Sequence, residues 1–181
     1  PINRIATAKA LGFARVCENT LDPITNRGEA ETALVSNIAF AMKHLAQIAQ
    51  TLILWSMPQF GYIEIPDEFC TGSSMMPHKK NPDALEVIKA KAGIAYGALQ
   101  SLFAINSSNL IGYNRDTQWT KYLAMDVIDE TLPAFAIMAK LLAGIRINAR
   151  PLARDLRKHE LSATKDLENE VQKNGKSFRE A

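Results

Sequence analysis

With 181 residues, 47% of them hydrophobic and 22% charged, the chain has enough apolar mass for one sizeable core, which excludes intrinsic disorder. The net charge is +2, and Lys and Arg are interspersed among Asp and Glu, so no block of like charge signals a nucleic-acid or membrane surface. Two cysteines, Cys17 and Cys70, lack metal-type spacing and Cys/His neighbours; they indicate neither a zinc site nor a disulfide framework and fit a reducing, cytoplasmic compartment.

The chain opens on Pro1 with no charged-then-apolar signal segment behind it. It closes on Ser-Phe-Arg-Glu-Ala at 177–181, which reads like the start of another helix, so a chain cut at both ends is expected. Residues 2–13 carry little pattern. From about 28 to 57, Leu34, Ile38, Ala41, Leu45, Ile48, Leu52 and Trp55 recur at alternating steps of four and three, which predicts a bundle helix roughly 45 Å long. Lys43 is the one formal charge between Thr32 and Met57, so contact on several faces is expected, with His44 as a packed or capped helix residue. This is the most apolar stretch of the chain, but Asn37, Lys43, His44, Gln47 and Gln50 interrupt it and exclude a membrane span. Tyr62, Ile63, Glu64 and Ile65 then alternate as a small strand would.

Residues 71–83, Thr-Gly-Ser-Ser-Met-Met-Pro-His-Lys-Lys-Asn-Pro-Asp, form a loop with chemical potential. Gly72, Ser73 and Ser74 can expose backbone amides, Lys79 and Lys80 supply cations, and a following helix turns its positive end towards them. These features suit a carboxylate or phosphate; a solvated loop with ordinary capping residues is the alternative. Asn81 is expected to cap the second helix, with Pro82 at its first position and Asp83 and Glu86 complementing its dipole. Leu85, Ile88, Ala92, Ala95, Leu99 and Leu102 mark its seam, and Ala92, Gly93, Ala95, Gly97 and Ala98 would admit a neighbouring helix closely.

After a polar break at 106–114, Met125, Ile128, Leu132, Phe135, Ala139 and Leu142 predict a third long helix, kinked at Pro133 and ended by Gly144. Residues 146–158 are basic, and Ser162 is placed to cap a short amphipathic helix stopping near Gly175. The reading is an all-α, long-helix bundle over residues 1–154, with 155–181 beginning a second, smaller helical domain. Three such seams carry more apolar surface than three helices can hide, so either an intermolecular bundle or further segments of the same chain must cover it.

Gly72 to Pro82 resembles the G-S-S-x-M-P-x-K-x-N-P signature of the fumarase/aspartase superfamily, whose members eliminate fumarate. Asp-Ala-Leu-Glu-Val-Ile-Lys-Ala-Lys-Ala-Gly at 83–93 is similar to the continuation found in the argininosuccinate lyases. Gly-Tyr-Asn-Arg-Asp-Thr-Gln at 112–118 with Lys121, Ala-Thr-Lys-Asp-Leu at 163–167, and Gly-Lys-Ser-Phe-Arg at 175–179 support the same family, so the similarity spans the chain. It implies a long-helix bundle assembled as a homotetramer with shared active sites. The implied small-molecule substrate is argininosuccinate, cleaved at a C–N bond to arginine and fumarate without metal or organic cofactor.

The resemblance makes Ser73 the catalytic base, with Ser74 and Asn81 at the substrate, Lys79 at the carboxylate where charge develops, and Glu86 orienting the lysine. Tyr113, Gln118 and Lys121 match residues that hold the substrate's arginine and carboxylate groups. Arg115 stands where the family often has lysine, and Trp119-Thr120 replaces a typically acidic pair. The family's general acid is a histidine following threonine, and none of His44, His78 and His159 follows one. His78 is read as a loop-supporting or substrate-adjacent residue, and His159 lies in a polar terminal stretch. Adenylosuccinate lyase, whose loops also accept Met-Pro-His-Lys, and a non-catalytic relative of the lens-crystallin kind are the alternatives. The chain without its general acid is expected to be inactive by itself.

Overall fold

A computed structural model describes residues 2–72, 74–76, 79–158, 163–175 and 177. The helices are α1 (Arg4–Ala10), α2 (Leu21–Thr25), α3 (Glu29–Ser56), α4 (Asp83–Asn106), α5 (Thr120–Gly144), α6 (Ala149–Lys158) and α7 (Ala163–Asn174). Four two-residue strands, β1 (Ile63–Glu64), β2 (Thr71–Gly72), β3 (Lys80–Asn81) and β4 (Arg146–Ile147), form two antiparallel pairs, β1 with β4 and β2 with β3. The all-α, long-helix reading holds, and Gly144 ends α5 as expected. Among the described residues no helix is long and apolar enough to cross a membrane.

The chain divides into two compact units, Pro1–Gln47 with Val87–Ile137 and Ile48–Glu86 with Met138–Ala181. In the first, Val35, Ala39 and Met42 of α3, Ile88, Ala92, Ala95 and Leu102 of α4, and Ala124, Val127, Thr131 and Ala134 of α5 are buried. Gly28 (φ +98°) leads into α3, and a Cβ there would stand 2.8 Å from Asn106 Oδ1 and 3.0 Å from Thr120 Cγ2. Glycine therefore admits the end of α4 and the start of α5 against this turn. Asn106 Nδ2 donates to Thr32 Oγ1 (3.2 Å), and an ion pair between Lys91 and Glu130 joins α4 to α5.

In the second unit, Ala49, Leu52, Ile63, Ile65, Leu85, Met138 and Leu141 are buried. Ile63 pairs with Ile147 and Glu64 with Arg146, and the chain alternates in and out across 63–65 as the expected strand does. Asn148 extends this pairing: its N–H donates to Tyr62 O (2.8 Å) and its Nδ2 to Gly61 O (2.9 Å). Tyr62 Oη donates to Asp155 Oδ2 (3.0 Å), and this bond, followed by burial, raises the phenol pKa above its ordinary value of 10.0. A Cβ on Gly144 would stand 2.7 Å from Pro66 Cγ, so the end of α5 packs directly on the segment after β1.

Several sequence expectations shift. In α3 the buried stripe is Val35, Ala39, Met42, Ala49 and Leu52; of the expected seam, Leu34, Ile48 and Trp55 are exposed. In α5 the buried stripe is Ala124, Val127, Thr131, Ala134, Met138 and Leu141, while Met125, Leu132, Phe135 and Leu142 are exposed. The α5 seam is displaced by one residue, about 100° around the helix, and the α3 seam likewise except at Leu52, which is buried as expected. The buried stripes include small residues, Ala39 and Ala49 in α3 and Ala124 and Ala134 in α5, where backbones can approach, while Leu34, Trp55, Leu132 and Phe135 stay outside. The α4 seam is as expected at Leu85, Ile88, Ala92, Ala95 and Leu102, but Gly93 and Gly97 have nothing within 4 Å of where a Cβ would be. His44, expected to be packed or capped, is exposed, two residues and about 200° from buried Met42. The amphipathic C-terminal helix, α7, ends as expected at Gly175 (φ +62°), whose N–H donates to Val171 O (3.0 Å); its expected cap, Ser162, and also His159, lie outside the described residues.

Candidate active site

The chemical loop leaves and returns through a two-rung ladder, Thr71 opposite Asn81 and Gly72 opposite Lys80. Asn81 is therefore a strand residue, and the position before α4 belongs to Pro82, whose carbonyl accepts from Leu85 N (2.9 Å) and Glu86 N (3.2 Å). The expected cap is displaced because strand pairing engages the Asn81 backbone, while proline needs no partner for an N–H at the helix entrance. Inside the loop, Lys79 N donates to Met76 O (2.9 Å).

Two side-chain ties fasten the neck of this loop. Thr71 Oγ1 donates to the Asp83 carboxylate at the start of α4, and Lys80 Nζ is paired with the carboxylate of Asp67. Asp67 opens a single 3-10 turn, Asp67–Phe69, in which Phe69 N and Cys70 N donate to Pro66 O and Asp67 O, both at 3.0 Å. Hydrogen bonding to Asp67, then its charge and that of Glu64, raises the Lys80 pKa above the usual lysine value. Cys70 shifts upward because burial disfavours its thiolate, with Lys80 opposing the shift.

Of the residues assigned to this loop, Ser74 and Lys79 are exposed, Asn81 is half-buried, and Glu86 is exposed on the first turn of α4. Ser73 and His78 lie outside the described residues. No ion pair joins Lys79 to Glu86 among the described residues. Ser74, Lys79, Asn81 and Glu86 belong to one compact unit, and Tyr113, Gln118 and Lys121 to the other.

In that other unit, Tyr113 is exposed, and the Arg27 guanidinium lies 5.7 Å from its ring centroid, a cation over an aromatic face. Gly112 (φ +117°) turns the chain just before it, its N–H donating to Thr25 Oγ1 (3.0 Å). Asn114 Nδ2 closes the segment onto Leu110 O (2.7 Å) and Gly112 O (3.2 Å). Gln118 is half-buried in a 3-10 turn, Asp116–Trp119, held by its N–H to Arg115 O (2.9 Å). Lys121, on the first turn of α5, places Nζ 4.9 Å from the Tyr122 ring, which meets Trp119 edge-on at 5.6 Å. Thr120, one of the departures noted in the sequence, is fully buried with Oγ1 donating to Thr117 O (2.8 Å), and Thr117 is itself buried.

The sequence reading missed Asp67, Thr71 and Asp83 as supports of the loop, and Arg27 and Thr25 as neighbours of Tyr113. These partners come together only through tertiary folding and leave no periodic trace in the sequence.

Residues 2–97 match the model of a family described as lyase. The argininosuccinate lyase of Nitrosomonas eutropha is 38% identical over 181 residues, covering 100% of this chain and 39% of its own length. That of Polynucleobacter necessarius is 39% identical over 184 residues, again covering 100% of this chain and 38% of its own length. The chain thus spans about two fifths of the curated relatives it matches. Among solved structures, EDDS lyase in complex with formate has a TM-score of 0.76 at 23% identity, over 99% of this chain and 35% of that one. Fumarate lyase:delta crystallin from Brucella melitensis has a TM-score of 0.68 at 17% identity, over 98% and 44%. These structural likenesses concern the fold.

Proposed function

The chain belongs to this lyase family, and on that premise we propose that the whole protein is an argininosuccinate lyase, cleaving argininosuccinate to arginine and fumarate. The observation that carries the reading is identity of 38% to such enzymes over all 181 residues, including the Gly-Ser-Ser loop at the entrance to α4. In the reaction as proposed, Ser73 removes the proton from the carbon beside a substrate carboxylate. A serine hydroxyl is a weak base at neutral pH, so the loop amides, Lys79 and the positive end of α4 must favour its deprotonated form. The electron pair spreads into the carboxylate as an aci dianion, which Lys79 and Asn81 stabilise; Glu86 orients the lysine. The pair then forms the C=C bond of fumarate as the C–N bond breaks, and the leaving guanidino nitrogen takes a proton from a general acid. Fixed donors are effective here because the charge they meet exists only along the reaction path.

Tyr113, Gln118 and Lys121 hold the arginine and carboxylate groups of the substrate, with Ser74 beside the base. No metal or organic cofactor enters these steps. The protein is a cytoplasmic homotetramer with shared active sites, and the domain boundary lies near Arg154. The exposed Leu34, Ile48 and Trp55 of α3 and Met125, Leu132 and Phe135 of α5 support assembly, since faces of that kind are covered in a stable protein.

Fumarate release by the purified full-length protein tests the reading. Release from argininosuccinate and not from adenylosuccinate is expected; the reverse would identify an adenylosuccinate lyase, and a folded protein inert towards both would be a non-catalytic relative. Full-length Ser73→Ala should lose roughly 10²–10⁴-fold in kcat with the assembly intact. Unchanged turnover would remove Ser73 as the base. The 181 residues alone should release no fumarate, having no histidine after threonine to serve as the acid.

A further inference from the structure

The neck of the catalytic loop is too small to hold its own register. Two antiparallel rungs are marginal in water, and Gly72 on one of them has no side chain to pack. The Thr71–Asp83 hydrogen bond ties the outgoing arm to α4. The Lys80–Asp67 ion pair is the tie between the returning arm and a separate platform. That platform is firm: Asp67 follows Pro66, which rests on Gly144, and Ile65, which is buried, and behind them β1 is paired with β4. The Asp67–Lys80 pair lies at the wall of a cleft of about 360 Å³ lined also by Glu64, Glu68 and Arg146.

We infer that Asp67 is a positioning residue for the elimination, holding Lys80, and with it the adjoining Lys79, in register opposite the arm that leads into Ser73. This rests on the reading of Ser73 and Lys79 as catalytic groups. The ion pair contributes little to global stability, because its side chains are 81% and 53% exposed and solvent screens them. Its effect is geometric. In a strand a slip of one residue turns every side chain to the opposite face, so the register of Lys80 decides which face its neighbour Lys79 presents. Lys79 stands one peptide unit before Lys80 of the last rung, and consecutive Cα atoms are held about 3.8 Å apart. A fixed neck therefore transmits its geometry to Lys79 with little slack. The hydrogen bond and charge of Asp67 favour the Lys80 ammonium and raise its pKa above the usual lysine value.

The test is steady-state kinetics of the full-length protein with argininosuccinate. Asp67→Asn should lower kcat roughly 10- to 100-fold, the scale of an ångström-level misplacement, with a smaller change in KM and an unchanged melting temperature. Asp67→Glu should keep most of the activity, and the exchange Asp67→Lys with Lys80→Asp should recover a large part of what either single change loses. Wild-type kcat in Asp67→Asn would overturn the inference, as would an exchange variant that, folded and assembled, recovers nothing beyond the single variants. A wild-type protein that releases no fumarate would instead overturn the functional reading, so the two failures are distinguishable.

Discussion

Gly28 takes a positive φ that side chains disfavour, and its missing Cβ leaves room for Asn106. Gly28→Ala should therefore destabilise the protein by about 1–3 kcal/mol, through backbone strain and displacement of the Asn106 to Thr32 hydrogen bond. The denaturant midpoint should fall with its slope unchanged. Tyr62 offers a pH-dependent counterpart. Its bond to Asp155 favours the protonated phenol, so the stabilisation is complete below the ordinary tyrosine pKa of 10.0 and is lost as pH rises through the higher folded value. Tyr62→Phe should delete a tyrosine that ionises above pH 10 in an ultraviolet titration and flatten the loss of stability there. Cys70, held protonated by burial, should alkylate slowly at mildly alkaline pH, and Lys80→Met should slow it further by removing a charge that favours the thiolate. Peptide mass mapping of the modified protein measures both rates.

At the scale of the helix, the hydrophobic period was legible in all three long helices, but the phase was legible in α4 and not in α3 or α5. Residues 28–57 were read as a helix that runs Glu29–Ser56, and the start of the second helix was placed within two residues of Asp83. The α3 and α5 seams came out rotated because each helix carries adjacent apolar stripes, and period alone does not choose between them. Size chooses: Ala39 and Ala49, or Ala124 and Ala134, let neighbouring backbones approach where Leu34 or Leu132 would hold them apart. Met42→Ala should accordingly cost about 2–5 kcal/mol in chemical denaturation, despite Met42 lying outside the expected seam. In the candidate site, Lys79, Asn81 and Tyr113 were assigned from motifs alone. Asp67 was not, because its partner Lys80 lies 13 residues away with no repeating pattern between them. Arg27 escaped for the same reason: a contact made by tertiary folding leaves no local signal in sequence.

For the molecule as a whole, large side chains on α3 and α5 remain uncovered within this chain, and the proposed tetramer would cover them. Ile48→Asp and Leu132→Asp in the full-length protein should shift sedimentation towards smaller species, with helical content by circular dichroism largely retained; an unaltered tetramer would place those residues outside the interface. The rotated seams also bear on how such a chain reaches its native state. Adjacent apolar stripes about 100° apart offer α3 a competing face to bury as it folds. In the proposed tetramer, competition between the two faces would frustrate folding until a neighbouring subunit captured the outer stripe. Refolding should then show a slow, concentration-dependent phase, and Ala39→Leu, which erases the size difference, should lengthen that phase and divert chains into aggregates.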